Sequence, residues 1–298
     1  MNFIGRRKIT YFISGSLVGL SVVGLLLWGL NLGIDFTGGS LLEIGYSENP
    51  PSIQEIKDVL GKYNLGELKI QPAGDSGFIL RFKNIDEKTH QEILAGLTAE
   101  KNSLIEKRFV SIGPVIGQEL KQKSLLALIL VGLMIVAYIA FAFRKVSKPV
   151  SSWKYGVAAV LALAHDVLIP TGVFSFLGHF YGLEIDILFV TALLTILGFS
   201  VHDTIVVFDR IRENLKKRKE DSFEKAVNVS INETLTRSVI TSLTVLFVLF
   251  ALFFLGSQSV KYFSLALILG VSFGTYSSIF LASPLLVTWQ KLASRKKA

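Results

Sequence analysis

Apolar residues run along this chain in six long blocks, separated by segments where charge and turn-forming residues return. The blocks lie at about Ile9 to Leu32, Leu125 to Phe143, Tyr155 to Leu177, Ile185 to Phe208, Val239 to Leu255 and Tyr262 to Leu286. A helix needs about 20 mostly apolar residues to cross the hydrocarbon of a bilayer, and each block approaches or reaches that length. An even number of crossings returns both chain ends to the same side.

Between the first two blocks the pattern becomes that of a water-exposed domain. Ser40 to Tyr46 alternates as a strand, Pro50-Pro51 breaks it, and Ser52 with Glu55 forms a capping box for a helix carrying Ile53, Ile56, Leu60 and Tyr63. Strands follow at Leu68 to Gln71 and Phe78 to Phe82 around a Gly74-Asp75-Ser76-Gly77 turn, then a helix with Ile93, Leu94 and Leu97, then a strand at Lys107 to Ile112. The order βαββαβ is the ferredoxin-like arrangement, which carries no chemistry by itself. His90 reads as a residue on the solvated face of its helix.

The predicted fold is therefore a membrane protein, an all-α bundle of six transmembrane helices with one α+β ferredoxin-like domain between spans one and two. Residues 1–35 hold the N-terminus and first span, 36–120 the exported domain, and 121–298 the remaining spans. A further amphipathic helix is expected at about 221–235, with Asp221 and Glu224 as its capping box and Phe223, Val227, Ile231 and Leu235 on its apolar face along the inner membrane surface.

Charge sets the orientation. Arg6, Arg7 and Lys8 precede span one, Arg144, Lys145, Lys148 and Lys154 join spans two and three, Arg210 to Lys219 joins four and five, and Arg295, Lys296 and Lys297 close the chain. All fall on one side, which the positive-inside rule makes cytoplasmic. Lys121 and Lys123 lie on the other side, beside a long exported segment whose charge has little influence. The first span exceeds a usual signal-peptide core and no small-x-small cleavage site follows, so it reads as an uncleaved anchor. Hydrophobic residues make up 51% and charged residues 18%, with a mean hydropathy of +0.53, which supports the membrane class. The net charge of +8 follows from topology, with no basic stripe interleaved with aromatics to suggest nucleic acid. The absence of cysteine excludes disulfides, thiolate metal sites and cysteine nucleophiles.

Ionisable residues inside a membrane are costly and mark function. Asp166 lies near the middle of span three, Asp203 in the inner third of span four, about 8 Å from its end, and Arg237 opens span five. Asp203 and Arg237 should reach similar depth and could pair, so that a conformational change separating them would alter the proton affinity of the carboxyl group. The alternatives are an i,i+4 pair of Arg237 with Glu233, and a structural, protonated Asp203 held by Thr204 and Ser200. Asp166 is either a second relay group or a partner for His165, and Asp209 is an interface charge beside Arg210 and Arg212.

His165-Asp166 and His202-Asp203 invite a metal, but adjacent helical residues point about 100° apart and cannot share an ion. An intramembrane aspartyl dyad is disfavoured by the different depths of Asp166 and Asp203. No enzyme and no cofactor are expected. Gly270 and Gly274 have the spacing of a close helix contact, and Pro170 and Pro284 can kink their spans.

Three separated stretches carry a resemblance that covers nearly the whole chain: Gly33-Ile34-Asp35-Phe36-Thr37-Gly38-Gly39, Gly113-Pro114-Val115-Ile116-Gly117, and Asp203-Thr204-Ile205-Val206 running into Asp209-Arg210-Ile211-Arg212-Glu213-Asn214. They resemble the SecF branch of the SecD/SecF family of protein-export membrane proteins, relatives of the resistance-nodulation-division transporters. The resemblance implies half of a twelve-span device in the cytoplasmic membrane, assisting protein translocation with the proton motive force. It implies SecD and the SecYEG channel as partners, with YajC and YidC as further ones and the translocating polypeptide and protons as cargo. By motif, Asp203 and Arg237 take the family's proton-pathway positions. His202 departs from the family's usual asparagine and can itself titrate near neutrality. Competing readings are a small-molecule efflux subunit, which calls for a large apolar pocket in the exported domain, and a passive assembly scaffold.

Overall fold

The computed structural model describes the chain apart from residues 48, 75, 101–103, 144–149, 218–221 and 296–298. In chain order its elements are α1 (Arg7–Trp28), α2 (Ile34–Thr37), β1 (Gly39–Tyr46), α3 (Ile53–Leu60), β2 (Lys69–Ala73), β3 (Gly77–Phe82), α4 (Glu87–Glu100), β4 (Leu104–Ile112), α5 (Pro114–Ala142), α6 (Ser152–Tyr181), α7 (Ile187–Lys217), α8 (Phe223–Leu255), α9 (Gln258–Ser277) and α10 (Ser283–Arg295). They form two compact units, a membrane unit of Met1–Asn31 with Leu126–Ala298 and a sheet unit of Leu32–Leu125.

Among the described residues, 6 helices are long and apolar enough to cross a membrane. The protein is thus a multi-pass membrane protein, with bulky apolar side chains such as Phe12, Leu133, Phe247 and Phe254 turned outward. Small residues set the close contacts inside. A Cβ on Gly172 of α6 would lie 2.5 Å from Ser21 Cα of α1, and one on Gly270 of α9 would overlap Ile196 Cγ1 of α7. Backbones can approach this closely only where the side chain is missing. The last span is broken by a π-helical turn, Ser278–Ala282, just ahead of Pro284. Proline has no N–H for the carbonyl four residues earlier, and Thr10 Oγ1 of α1 donates to that carbonyl, Phe280 O, at 2.9 Å.

The expected surface helix at about 221–235 is not a separate element. Residues 223–255 form one helix of 33 residues. Nothing between Leu235 and Val239 breaks a helix: Thr236, Arg237 and Ser238 include neither glycine nor proline. Its N-cap is Ser222, whose side chain accepts from Lys225 N at 3.3 Å. Asp221, expected in that cap, lies outside the described residues, as do Asp75 of the Gly74-Asp75-Ser76-Gly77 turn and the loop cations Arg144, Lys145, Lys148, Lys219, Lys296 and Lys297.

In the sheet unit the strands are ordered β2-β3-β1-β4, every pair antiparallel, with Ser40 opposite Phe82 and a register shift between Glu43 and Ile44 against β4. The Ser52–Glu55 capping box is formed in full. Leu42, Ile44 and Leu80 from the sheet pack on Ile56, Leu60, Ile93 and Leu97 from α3 and α4. His90 is not on the solvated face. It is 3% exposed and stacks on Phe109 of β4 with ring centroids 3.7 Å apart. Its spacing to Ile93 and Leu97 puts it on the buried stripe of α4. Its charged neighbours sit at the edge, Glu87 Oε1 3.2 Å from Nδ1 and Glu106 Oε1 3.3 Å from Nε2.

Candidate functional site

The polar interior of the membrane unit is built where α6, α7, α8 and α9 meet, and hydroxyl groups line it. Asp166 of α6 is fully buried, and both its oxygens are occupied: Oδ1 by His165 Nδ1 at 2.8 Å, Oδ2 by Ser200 Oγ at 2.5 Å and Ser277 Oγ at 2.7 Å. One carboxylate thus ties three helices. Gly274 makes room for it, since a Cβ there would lie 3.3 Å from Ser200 Cβ and 3.7 Å from Asp166 Oδ2.

Asp203 lies one turn beyond Ser200 on the same face of α7. It is 8% exposed, and Ser238 Oγ of α8 donates to its Oδ1 at 2.6 Å, while Oδ2 is buried without a protein partner. The hydroxyls proposed from sequence to hold Asp203 are used elsewhere: Ser200 on Asp166, and Thr204 against Ser278 Oγ at 2.8 Å. A one-turn offset along α7 decides which carboxylate each serine meets, and sequence spacing alone does not reveal it.

Arg237 does not pair with Asp203: among the described residues no ion pair within 4 Å joins them. Adjacent residues on α8 point about 100° apart, so Arg237 and Ser238 cannot both meet Asp203, and the small neutral hydroxyl loses less on burial. The pairing with Glu233 is preempted in part, since Glu233 Oε2 receives Arg210 Nε at 2.7 Å and Asn214 Nδ2 at 2.7 Å. Arg237 instead lines a cleft of about 480 Å³ with Ile205, Asp209, Arg210, Arg212 and Glu213. Arg210 also binds Glu213 at 2.5 Å, and the exposed Asp209 is 3.6 Å from Arg212. His202 is exposed on the other side of α7. Among the described residues no group of three or more histidines or carboxylates could hold a metal ion.

Asp35, Gly38 and Gly39 belong to the sheet unit, where they join α2 to β1. Gly38 and Gly39 have φ of 76° and 134°. A Cβ on Gly38 would lie 2.7 Å from Pro114 Cα, and one on Gly117 would lie 2.7 Å from Gly38 N. The two glycine motifs therefore pack backbone against backbone, which explains why they occur together. Asp35 is half-buried in α2.

Ser238 and Ser277 are the groups sequence reading missed as ligands. The signal available was their helical spacing: Ser238 and Ser242 share one face of α8, as Gly270, Gly274 and Ser277 share one of α9.

Comparison with known proteins gives one consistent result. The family model for the protein export membrane protein SecD/SecF, C-terminal, matches residues 93–292, and that for the SecD/SecF GG motif matches residues 29–49. The chain is 45% identical to the protein translocase subunit SecF of Thermobaculum terrenum, covering 97% of this chain and 94% of that one. It is 36% identical to that of Vibrio alginolyticus, covering 96% and 88%. The crystal structure of SecDF from Thermus thermophilus, a translocon-associated membrane protein, matches with a TM-score of 0.81 at 36% identity over 98% of this chain. A SecDF structure in a super-membrane-facing form matches with a TM-score of 0.71 at 34% identity over 100% of it. The chain spans 39% and 40% of those two longer chains. By motif, full-length similarity and fold, it belongs to the SecD/SecF family of protein export membrane proteins.

Proposed function

We propose that the chain is a SecF-type subunit of the protein translocase in the cytoplasmic membrane, without enzymatic activity of its own, in which proton binding at Asp203 drives movement that assists polypeptide export. Its termini are cytoplasmic, residues 36–120 form the exported domain, and its partners are SecD and the SecYEG channel, with YajC and YidC as accessory ones.

The observation that carries this reading is how Asp203 is held. A buried carboxylate fixed by a cation is locked in one charge state. Ser238 Oγ can instead donate to a carboxylate or accept from a carboxylic acid, so Asp203 can gain and lose a proton without stranding its partner. Arg237, next in the chain to Ser238, senses the change in charge, and His202 tunes it from the exposed face of α7. The Asp166 cluster is a second centre of the same relay. Each proton crossing 100 mV releases about 2.3 kcal/mol, enough to bias a helix rearrangement repeatedly.

The test is export into membrane vesicles with an imposed proton gradient. Asp203→Asn keeps the shape and the Ser238 contact but removes titration, and export stimulation by the gradient should fall to the level without it. A gradient response equal to wild type would overturn the reading.

A further inference from the structure

We propose that the second proton of this relay is taken up at Nε2 of His165, and that Asp166 is the positioning residue that fixes the imidazole. The inference rests on the proton-coupled reading above and names the atom that reading leaves open.

Asp166 has no oxygen to spare. Its Oδ1 faces His165 Nδ1 at 2.8 Å, and its Oδ2 faces two serine hydroxyls at 2.5 and 2.7 Å. A carboxylate only accepts, so the imidazole must carry its hydrogen on Nδ1 and present a lone pair at Nε2. His165 is 2% exposed, and Nε2 is buried with no protein hydrogen-bond partner among the described residues. The ring lies against Tyr276 and Phe273, each with centroids 6.0 Å away.

In that state the cluster holds one negative charge in a buried site. A proton arriving at Nε2 forms one N–H bond with the imidazole lone pair, breaks nothing in the protein, and converts the site to an imidazolium–carboxylate pair of zero net charge. Release reverses the step. The titratable and charged groups around the imidazole are Asp166 from its own helix, Tyr276 from α9 and, one turn beyond Ser200, Asp203 from α7. From α1 come Ser14, which donates to the Tyr276 hydroxyl, and Thr10, whose carbonyl accepts from it, both at 3.3 Å. Ser200 and Asp203 are separated by about 4.5 Å along α7, so the two proton-binding centres stand in series.

The rival arrangement has the proton on Asp166 Oδ2, passed toward Ser277, whose hydroxyl also reaches Gly274 O at 3.1 Å. Nitrogen-15 NMR of the histidine-labelled full chain in lipid vesicles separates the two, because only 4 imidazoles contribute. One imidazole should hold the Nδ1–H tautomer at high pH and gain Nε2–H as pH falls, should vanish in His165→Gln, and should lose its tautomer preference in Asp166→Asn. If His165→Gln does not fold, replacing His90, His179 and His202 one at a time makes the same assignment. An Nε2–H tautomer at all pH values, or an infrared carboxylic acid band that Asp166→Asn removes while His165 stays neutral, would overturn the proposal. In vesicle export, His165→Gln should displace the pH profile, whereas a packing role would lower the rate equally at every pH. The spectroscopic result needs neither partner nor export. Failure of His165 to titrate is therefore distinguishable from a wild-type gradient response in Asp203→Asn.

Discussion

The two units of this protein differ in the polarity they bury beside their apolar cores. In the sheet unit the interior is aliphatic and aromatic, Leu42, Ile44, Leu80 and Ile93 among them, and the carboxylates near its one buried imidazole, Glu87 and Glu106, sit at the solvent edge. In the membrane unit many bulky apolar side chains face out, and beside a buried apolar core that includes Tyr155, Phe174 and Phe208 the residues Ser200, Ser238, Ser242, Ser277, Ser278 and Asp166 are buried as well. Both units place a histidine against a carboxylate, with different consequences. Water screens the charges around His90, so the pair mostly joins α4 to β4. Around His165 the groups that meet the buried carboxylate are two serine hydroxyls and the imidazole itself, far from screening solvent. The contrast shows that burial in a bilayer protein is organised by polarity as much as by apolar area.

Substitutions should separate the units in order of effect. Leu42→Ala empties the core of the sheet unit and should cost roughly 2–5 kcal/mol, read as lost hydrogen-exchange protection in residues 39–112 while the spans keep theirs. Gly172→Leu drives a side chain into Ser21 of α1 and should cost roughly 1–3 kcal/mol, read as a lower unfolding temperature of the detergent-solubilised chain with the sheet unit's protection unchanged. Ser238→Ala strips Asp203 of its hydroxyl donor. It should cost about 1 kcal/mol in the same melt, together with a shifted pH profile of gradient-driven export. An unshifted profile would place proton binding elsewhere. Ser52→Ala removes half of the capping box and should cost about 1 kcal/mol, visible as faster exchange at the start of α3 alone.

The smallest effect comes from pH. Asp86 and Glu87 open α4 and are held below the usual carboxylate range, Asp86 chiefly by the Thr89 hydroxyl and Glu87 chiefly by the Gln91 amide, with His90 second. Because their folded values lie below the unfolded ones, the stability they add is present above about pH 4 and is lost as acid carries the folded domain through them. Protection factors at α4, corrected for the intrinsic pH dependence of exchange, should therefore hold from neutral pH down to about pH 4 and fall below it, less so in Asp86→Ala.

Spans and strands are legible in the sequence because length and alternation are local properties. The capping box is legible for the same reason, Ser52 and Glu55 being three residues apart. Partner choice is not. The period of α7 puts Ser200, Asp203 and Thr204 on one face, but which helix lies opposite each depends on tertiary packing, so spacing alone joins Ser200 to the wrong aspartate. The charge of Arg237 suggests the start of a span, and sequence does not show that the helix carrying it already begins at Phe223. The polarity of His90 suggests a solvated face, although its spacing to Ile93 and Leu97 already puts it inside.

The continuous α8 has a mechanical meaning. At 33 residues it is a rod of about 50 Å, and Ser238, which touches Asp203, stands at its midpoint. Other contacts hold the rod on both sides of that point, Asn214 to Ser230 and Arg7 to Glu224 on one arm and Ser242 to Thr275 just past the centre, so a tilt about Ser238 loads them together. A tilt of about 5° there would sweep each end through roughly 2 Å in opposite directions, which makes the length of α8 the feature that would amplify a change at Ser238.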